Sequence, residues 1–521
     1  MNRINVLSYL YEIYRKYPEK IAFSSNNESV TFSQMHDKVL SIGTFFAKQG
    51  HYKKPIVVYM EKSPKAICAF FGCIAAGCYY VPVDNEMPGH RIQLIFETLK
   101  PEMVICDKNT QVAAGELRKN IGADNNLNIH NIEDIENFEA DEALLSNIQE
   151  KAIDTDPVYM IFTSGSTGIP KGVIACHRSV IDYVENLTEV LGVTENSIFG
   201  NQAPLYVDAC LKEIYSTLKY GATTYLIPKE LFMFPVKLVE YINEHKINTV
   251  CWVVPALTLI SSLGTFKSKI PESLHTIAFG SEVFPIKQFN LWKRTLPNCR
   301  FINLYGPTEG TGMSCYYEAD REFEETEKIP IGKPFKNTEI LLIGENNQLI
   351  LPPKCDDDFT ESETGEIYIR GTAVTLGYYN DPERTQAAFV QNPLNKSYPE
   401  VVYKTGDLAK YDKNGDLLFI SRKDYQIKHM GHRIELGEIE IVANRKDGVE
   451  CACCIFDEQK SKIVLYFVGS ADEKELSAEL KNDLPRYMVP SRILKIDILP
   501  LTSNGKTDRI KLKEIYLNGK K

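Results

Sequence analysis

The chain has 521 residues, 44% hydrophobic and 25% charged, which is ordinary globular chemistry and more length than one core supports, so at least two domains are expected. A formal net charge of −10 disfavours bulk binding to nucleic acid or an anionic membrane; no apolar run reaches the ~20 residues of a membrane helix, and the N-terminus has no signal-peptide core. The 13 cysteines sit mostly in apolar stretches, as reduced thiols of a cytoplasmic protein would, and Cys451-Ala452-Cys453-Cys454 lacks the paired spacing of a zinc site.

In chain order, Leu7, Leu10, Tyr11, Ile13 and Tyr14 mark an amphipathic helix that ends near Pro18. A strand and a helix follow across Val30–Ile42, then a buried strand at Ile56–Met60. The core helix Ala66–Gly77 is closed by Gly77 as its C-cap, and strands return at Tyr80–Asp84 and Met103–Cys106. Strands alternating with helices predict a mostly parallel, layered α/β sheet. The polar, acidic segment 108–155 reads as surface linker.

The strand Val158–Phe162 then runs into Thr163-Ser164-Gly165-Ser166-Thr167-Gly168-Ile169-Pro170-Lys171-Gly172. Three glycines permit a tight turn that gathers N–H groups, four hydroxyls add donors and Lys171 adds charge, a combination suited to a polyphosphate. It is not a P-loop, because no Lys-Ser/Thr pair follows the last glycine.

Further along, Asp208 would cap a helix over Ala209–Tyr220 that ends at Gly221. Strands at Thr223–Ile227 and Val250–Val254 flank a helix Pro235–Glu244, and two short strands each end at glycine, Thr276–Ser281 and Phe301–Gly306. Ligands of open α/β sheets bind at such carboxyl ends. From about residue 330 short strands spaced by turns predict a small β subdomain, and 421–521 is long enough for a small α+β domain.

Five motifs follow the phosphate loop in fixed order: Asn303-Leu304-Tyr305-Gly306-Pro307-Thr308-Glu309; Gly365-Glu366-Ile367; Tyr403-Lys404-Thr405-Gly406-Asp407; Arg422–Lys428 with Gly431–Glu435; and Asn504-Gly505-Lys506-Thr507-Asp508. Together they resemble the adenylate-forming superfamily: acyl- and aryl-CoA ligases, beetle luciferases and the adenylation domains of nonribosomal peptide synthesis. The resemblance covers roughly residues 20–510. It implies a large N-terminal domain over 1–420, a hinge at 421–424 with Asp424 as the hinge residue, and a small mobile C-terminal domain over 425–521.

The resemblance also implies roles. Thr163, Ser164, Gly165, Ser166, Thr167, Gly168 and Lys171 would hold the β- and γ-phosphates of ATP, with Thr163 among the catalytic groups. Tyr305 would stack on adenine, with Asn303, Gly306, Thr308 and the Gly280-Ser281-Glu282 turn nearby; family members usually carry glycine where Ser281 stands. Asp407 would accept the ribose hydroxyls with help from Arg422, and Glu309 would hold Mg²⁺. Lys506 would bridge the substrate carboxylate and the α-phosphate, stabilising charge that accumulates in the transition state. Rotation at Asp424 would exchange Lys506 for the Lys428 and Gly431 region, so that one site serves two half-reactions.

In amino-acid-activating members an aspartate at the place of Asp208 pairs with the substrate's α-ammonium; the alternative is that Asp208 only caps its helix. The side-chain pocket would be lined by Ala209, Lys212, Trp252, Ile277, Phe279, Leu304, Gly312 and Met313, with Trp252 and Phe279 shortening it. Lys212 would face an acidic substrate, Glu213 or solvent. The chain stops soon after Lys506, with no carrier motif, so the phosphopantetheine thiol of a separate carrier protein is the expected acceptor. The alternatives are an acyl- or aryl-CoA ligase acting on a simple acid and a nucleotide-binding scaffold that has lost its chemistry.

Overall fold

Local chemistry sets the first elements. Thr31 opens the helix Phe32–Lys48 with a capping box, its hydroxyl accepting from the Gln34 N–H while the Gln34 side chain accepts from the Thr31 N–H. Ser63 caps Pro64–Ala75, a helix buried along its whole length, which Gly77 closes at φ +71°. The computed structural model describes residues 4–26, 28–120, 127–165, 168–353, 362–424, 426–501 and 507–518. Their contacts divide the chain into two compact units. The first comprises residues 1–85, 101–161 and 172–423; the second comprises 86–100, 162–171 and 424–521.

The first unit is built on a nine-stranded and a seven-stranded sheet. In the nine-stranded sheet Arg300–Tyr305, Thr276–Gly280, Thr249–Val253, Ile198–Asn201, Thr223–Leu226 and Ile21–Ser24 are parallel neighbours, with antiparallel strands only at the edges. Its central strands are buried on both faces and therefore read as continuous apolar runs. The β subdomain pairs Thr338–Ile343, Gly365–Gly371, Val401–Tyr411 and Leu417–Arg422 antiparallel around Ile340, Leu342, Ile367 and Ile369. The expected α/β class and the β subdomain are both present.

The segment read as linker is not one. It contains the helix Gln111–Asn120, the edge strand Asn128–Asn131 of the seven-stranded sheet, and the helix Glu142–Glu150. Few apolar residues anchor it, Leu117, Leu127, Ile132, Ile135 and Leu145, and an edge strand with little buried surface carries no alternation to read.

The second unit packs the helices Leu436–Asn444 and Glu473–Asp483 on one face of a three-stranded sheet and Arg509–Asn518 on the other. The helix Gly89–Leu99 and the phosphate loop group with it, although the sequence boundaries put both in the larger domain. Arg91 forms a buried ion pair with Glu438, and the Ser164 hydroxyl donates to the Arg433 carbonyl at 2.6 Å. Among the described residues no helix is long and apolar enough to cross a membrane, and no disulfide forms.

One buried histidine makes the first unit acid-sensitive. The His177 Nδ1 accepts from the Val6 N–H at 3.2 Å, and burial pushes its pKa down to about 4. The folded state therefore binds fewer protons than the unfolded state between pH 6.5 and 4. Stability is full above 6.5 and falls as pH drops through that window, by about 3 kcal/mol in all. Denaturant titrations at pH 7 and 4.5 will show a smaller acid loss in His177→Asn than in the parent.

Candidate active site

Asp407 and Arg422 face each other across the antiparallel pair Val401–Tyr411 and Leu417–Arg422. The Arg422 guanidinium donates to Asp407 Oδ1 at 2.5 Å and the Tyr305 hydroxyl donates to Oδ2, so both carboxylate oxygens are fixed and each keeps a lone pair for a further donor. The carboxylate of Asp407 is 4% exposed, so such a donor would meet it largely desolvated. Tyr305 is mainly a core residue, packed with Cys315, Ile331 and Tyr403, and burial beside Asp407 raises its phenol well above the usual range. Asn303 donates to the Pro330 carbonyl at 2.7 Å.

Glu366, from the Gly365-Glu366-Ile367 motif, has a role the sequence did not announce. Its buried carboxylate accepts from the Gly406 N–H at 3.1 Å and from Lys423 at 2.7 Å, anchoring the turn that presents Asp407.

Glycines in the neighbouring turns are there for space. A Cβ on Gly280 would lie 2.3 Å from the Leu304 carbonyl oxygen, and one on Gly306 would lie 2.5 Å from the Met313 Cα. Ser281 sits at φ +71°, the left-handed region that accounts for the family's usual glycine. Thr308, Glu309 and Gly310 form a short helical turn, followed by Thr311 at φ +57°, a β-branched residue held there by its bond to the Ala373 carbonyl. Glu309 is fully buried and accepts from the Tyr378 hydroxyl at 2.7 Å. Among the described residues no cluster of His, Cys, Asp or Glu forms a ready-made metal cage. A single buried carboxylate fits Mg²⁺ that draws its other ligands from phosphates and water.

At the carboxyl ends of the central strands lies a small, partly open cavity. Ala209, Lys212, Trp252, Phe279, Leu304 and Met313 line it, together with Cys251, Val253, Ala278, Gly280 and Ser281. Ile277 and Gly312 do not. Ile277 lies two residues deeper in its strand than Phe279 and is fully buried in the core, while Gly312 turns at φ +95° with its N–H bonded to Pro307. The Trp252 indole is locked by a 2.7 Å bond to the Gly200 carbonyl and an edge contact with Phe232.

Asp208 stands half-buried immediately before Ala209. It begins a short turn over Asp208–Cys210, and the helix Leu211–Tyr220 that follows has no side-chain cap, so the capping role read from sequence is not realised. Among the described residues its carboxylate has no hydrogen-bond or ion-pair partner. Beyond the cavity, Lys62 donates to the Asn201 and Gln202 carbonyls at 3.0 and 3.2 Å, and burial pushes it down to about 8. Burial pushes Glu213 up to about 7, against the pull of Lys212. The sequence offered no signal for Lys62 beyond its place just after a strand's carboxyl end.

In the second unit, Thr163 ends the strand Pro157–Thr163 with its hydroxyl buried and unpartnered among the described residues. The Gly165 N–H bonds to the Glu438 carboxylate, Gly168 turns at φ +78°, and Lys171 opens the next strand. Lys428 lies on the hairpin Gln426–His429 and His432–Glu435, whose tight turn places Met430 and Gly431 at φ +53° and +79°. Asp424 is exposed and is the first residue of the unit's main segment. Ser166, Thr167 and Lys506 lie outside the described residues.

Comparison with known proteins gives a concordant result. The chain is 32% identical over 508 residues to tyrocidine synthase 1 of Brevibacillus parabrevis, covering 96% of this chain and 44% of that protein. It thus spans less than half the length of the relatives it matches. Holo-PA1221, an NRPS protein containing adenylation and PCP domains, superposes with a TM-score of 0.80 at 23% identity, over 98% of this chain and 84% of that one. The Vibrio cholerae adenylation domain AlmE, solved with glycyl-adenosine-5'-phosphate, gives 0.83 at 21% identity, over 99% and 98% of the two chains. Residues 10–379 match the family described as AMP-binding enzyme and residues 438–506 match its C-terminal domain, so the chain belongs to the AMP-binding enzyme family.

Proposed function

We propose that the chain activates an amino acid as its aminoacyl adenylate, with release of pyrophosphate, and passes it to the phosphopantetheine thiol of a carrier protein. The observation that carries the amino-acid reading is Asp208. A half-buried carboxylate with no protein partner among the described residues, next to the wall of a small apolar cavity, suits an ammonium group. A helix cap, the competing explanation, does not exist there.

In the first half-reaction a substrate carboxylate oxygen attacks the α-phosphorus of ATP. The bond to the bridging oxygen breaks, and its electron pair leaves with pyrophosphate. Asp407, set by Arg422 and Tyr305, accepts the ribose hydroxyls, and Asn303 and the Gly280–Glu282 turn border the base. Thr163–Lys171 is assigned the β- and γ-phosphates. Glu309 would hold Mg²⁺, which neutralises phosphate charge when bound. Lys506 is assigned to the carboxylate and α-phosphate, where negative charge concentrates. In the second half-reaction a thiolate attacks the acyl carbon and AMP leaves. Asp424 is the proposed pivot between the two, and Lys428 is assigned to the thiol-transfer arrangement. The co-occurrence of adenylation and PCP domains in PA1221 supports a carrier as acceptor.

Pyrophosphate exchange with ATP and Mg²⁺ over a panel of amino acids and simple acids tests the reading. Exchange with an amino acid, lost in Lys506→Ala, is expected. Exchange only with simple acids would make the chain an acyl- or aryl-CoA type ligase, and silence throughout would remove the chemistry altogether.

A further inference from the structure

The sequence leaves Lys212 three partners: solvent, Glu213 or the substrate. Solvent is excluded, because Lys212 is 5% exposed. Glu213 pulls on it only at a distance: consecutive helical residues do not face each other, and among the described residues no ion pair forms between the two. Its carboxylate turns to Asn201 Nδ2 at 3.4 Å, its other oxygen is unbonded among the described residues, and burial holds its pKa near 7. Among the described residues the Lys212 ammonium makes one long bond, 3.4 Å, to the Ala209 carbonyl in the turn before it. An ammonium has three donors, and this one lines the cavity with two of them unmatched by any protein acceptor among the described residues.

The other walls cannot answer that charge. Apart from Ser281, whose hydroxyl carries no charge, their side chains are apolar or weakly polar: Trp252, Phe279, Leu304, Met313, Ala209 and Cys251 among them. A buried cation whose nearest carboxylate acts on it only at a distance is costly to fold around, and the cost is recovered when an anion bonds to it directly. Asp208 lies four residues earlier, in the short turn that leads into the helix carrying Lys212 and next to the lining residue Ala209, so a negative and a positive group stand close together along the chain beside one cavity. That is the mirror image of an acidic amino acid, whose α-ammonium and side-chain carboxylate carry the opposite signs.

We propose that the substrate is an amino acid whose side chain ends in a carboxylate, received by Lys212 while Asp208 receives the α-ammonium. This rests on the amino-acid reading above and extends it to a substrate class.

The test compares pyrophosphate exchange with aspartate, glutamate, asparagine, glutamine, alanine, leucine and lysine, using both enantiomers of the chiral members, with the parent, Lys212→Met and Lys212→Arg. Acid and amide pairs are nearly isosteric, so their ratio isolates charge. The expected result is a preference for one acid over its amide of roughly 100-fold or more, which falls below about tenfold in Lys212→Met and survives in Lys212→Arg. Should Lys212→Met fail to fold by thermal melting, the parent ratio and Lys212→Arg decide. Exchange led by an amide, an aliphatic or a basic amino acid overturns the proposal and leaves the amino-acid reading intact. So does an equal loss for every substrate in Lys212→Met, which would mean that Lys212 serves the α-carboxylate. No exchange with any amino acid overturns both.

Discussion

Replacing Asp208 with alanine will lower pyrophosphate exchange by about 100- to 1,000-fold while leaving the thermal unfolding midpoint within a degree or so of the parent. The two halves of this expectation have separate causes. Stranding the substrate's ammonium in the cavity without its counter-ion removes an interaction whose loss costs about 3–5 kcal/mol when buried. Stability is spared because the Asp208 carboxylate has no partner among the described residues and caps no helix. A large loss of stability would show that the carboxylate has a structural role. Unchanged exchange with the preferred substrate would show that the ammonium is met elsewhere.

Asp407→Asn will behave differently, losing both activity and stability. The Asp407 and Arg422 side chains are 4% and 11% exposed and bonded at 2.5 Å, and Tyr305 donates to the second carboxylate oxygen. Converting that carboxylate to an amide leaves a mostly buried guanidinium without its anion and presents an N–H₂ to one of its two donors. The cost is about 3–5 kcal/mol, read as a lowered denaturation midpoint. Exchange will fall more than 100-fold, chiefly through a raised KM for ATP, because the acceptor for the ribose hydroxyls has gone. Adding Arg422→Met will restore part of the stability and none of the exchange. That split separates the structural share of the pair from its share in holding nucleotide.

Taken alone, the sequence determined the α/β class, the β subdomain and the family, because each is written locally. Apolar runs bounded by glycine mark buried parallel strands, and the ordered motifs from Thr163 to Asp508 carry the family. Through the resemblance it also singled out Asp208 for a substrate ammonium and Lys212 for the side-chain pocket. The tertiary structure decided which of those groups have partners. Asp407 meets Arg422 only through a cross-strand register, and Glu366 reaches Gly406 across 40 residues of chain. The edge strand Asn128–Asn131 gains its identity from its neighbour Met103–Cys106 rather than from its own polar residues. Most of all, the sequence could not say whether Lys212 was answered by Glu213, by water or by nothing in the protein. A side chain's burial and its hydrogen bonds are sums over residues distant in sequence, and only the folded chain performs that sum.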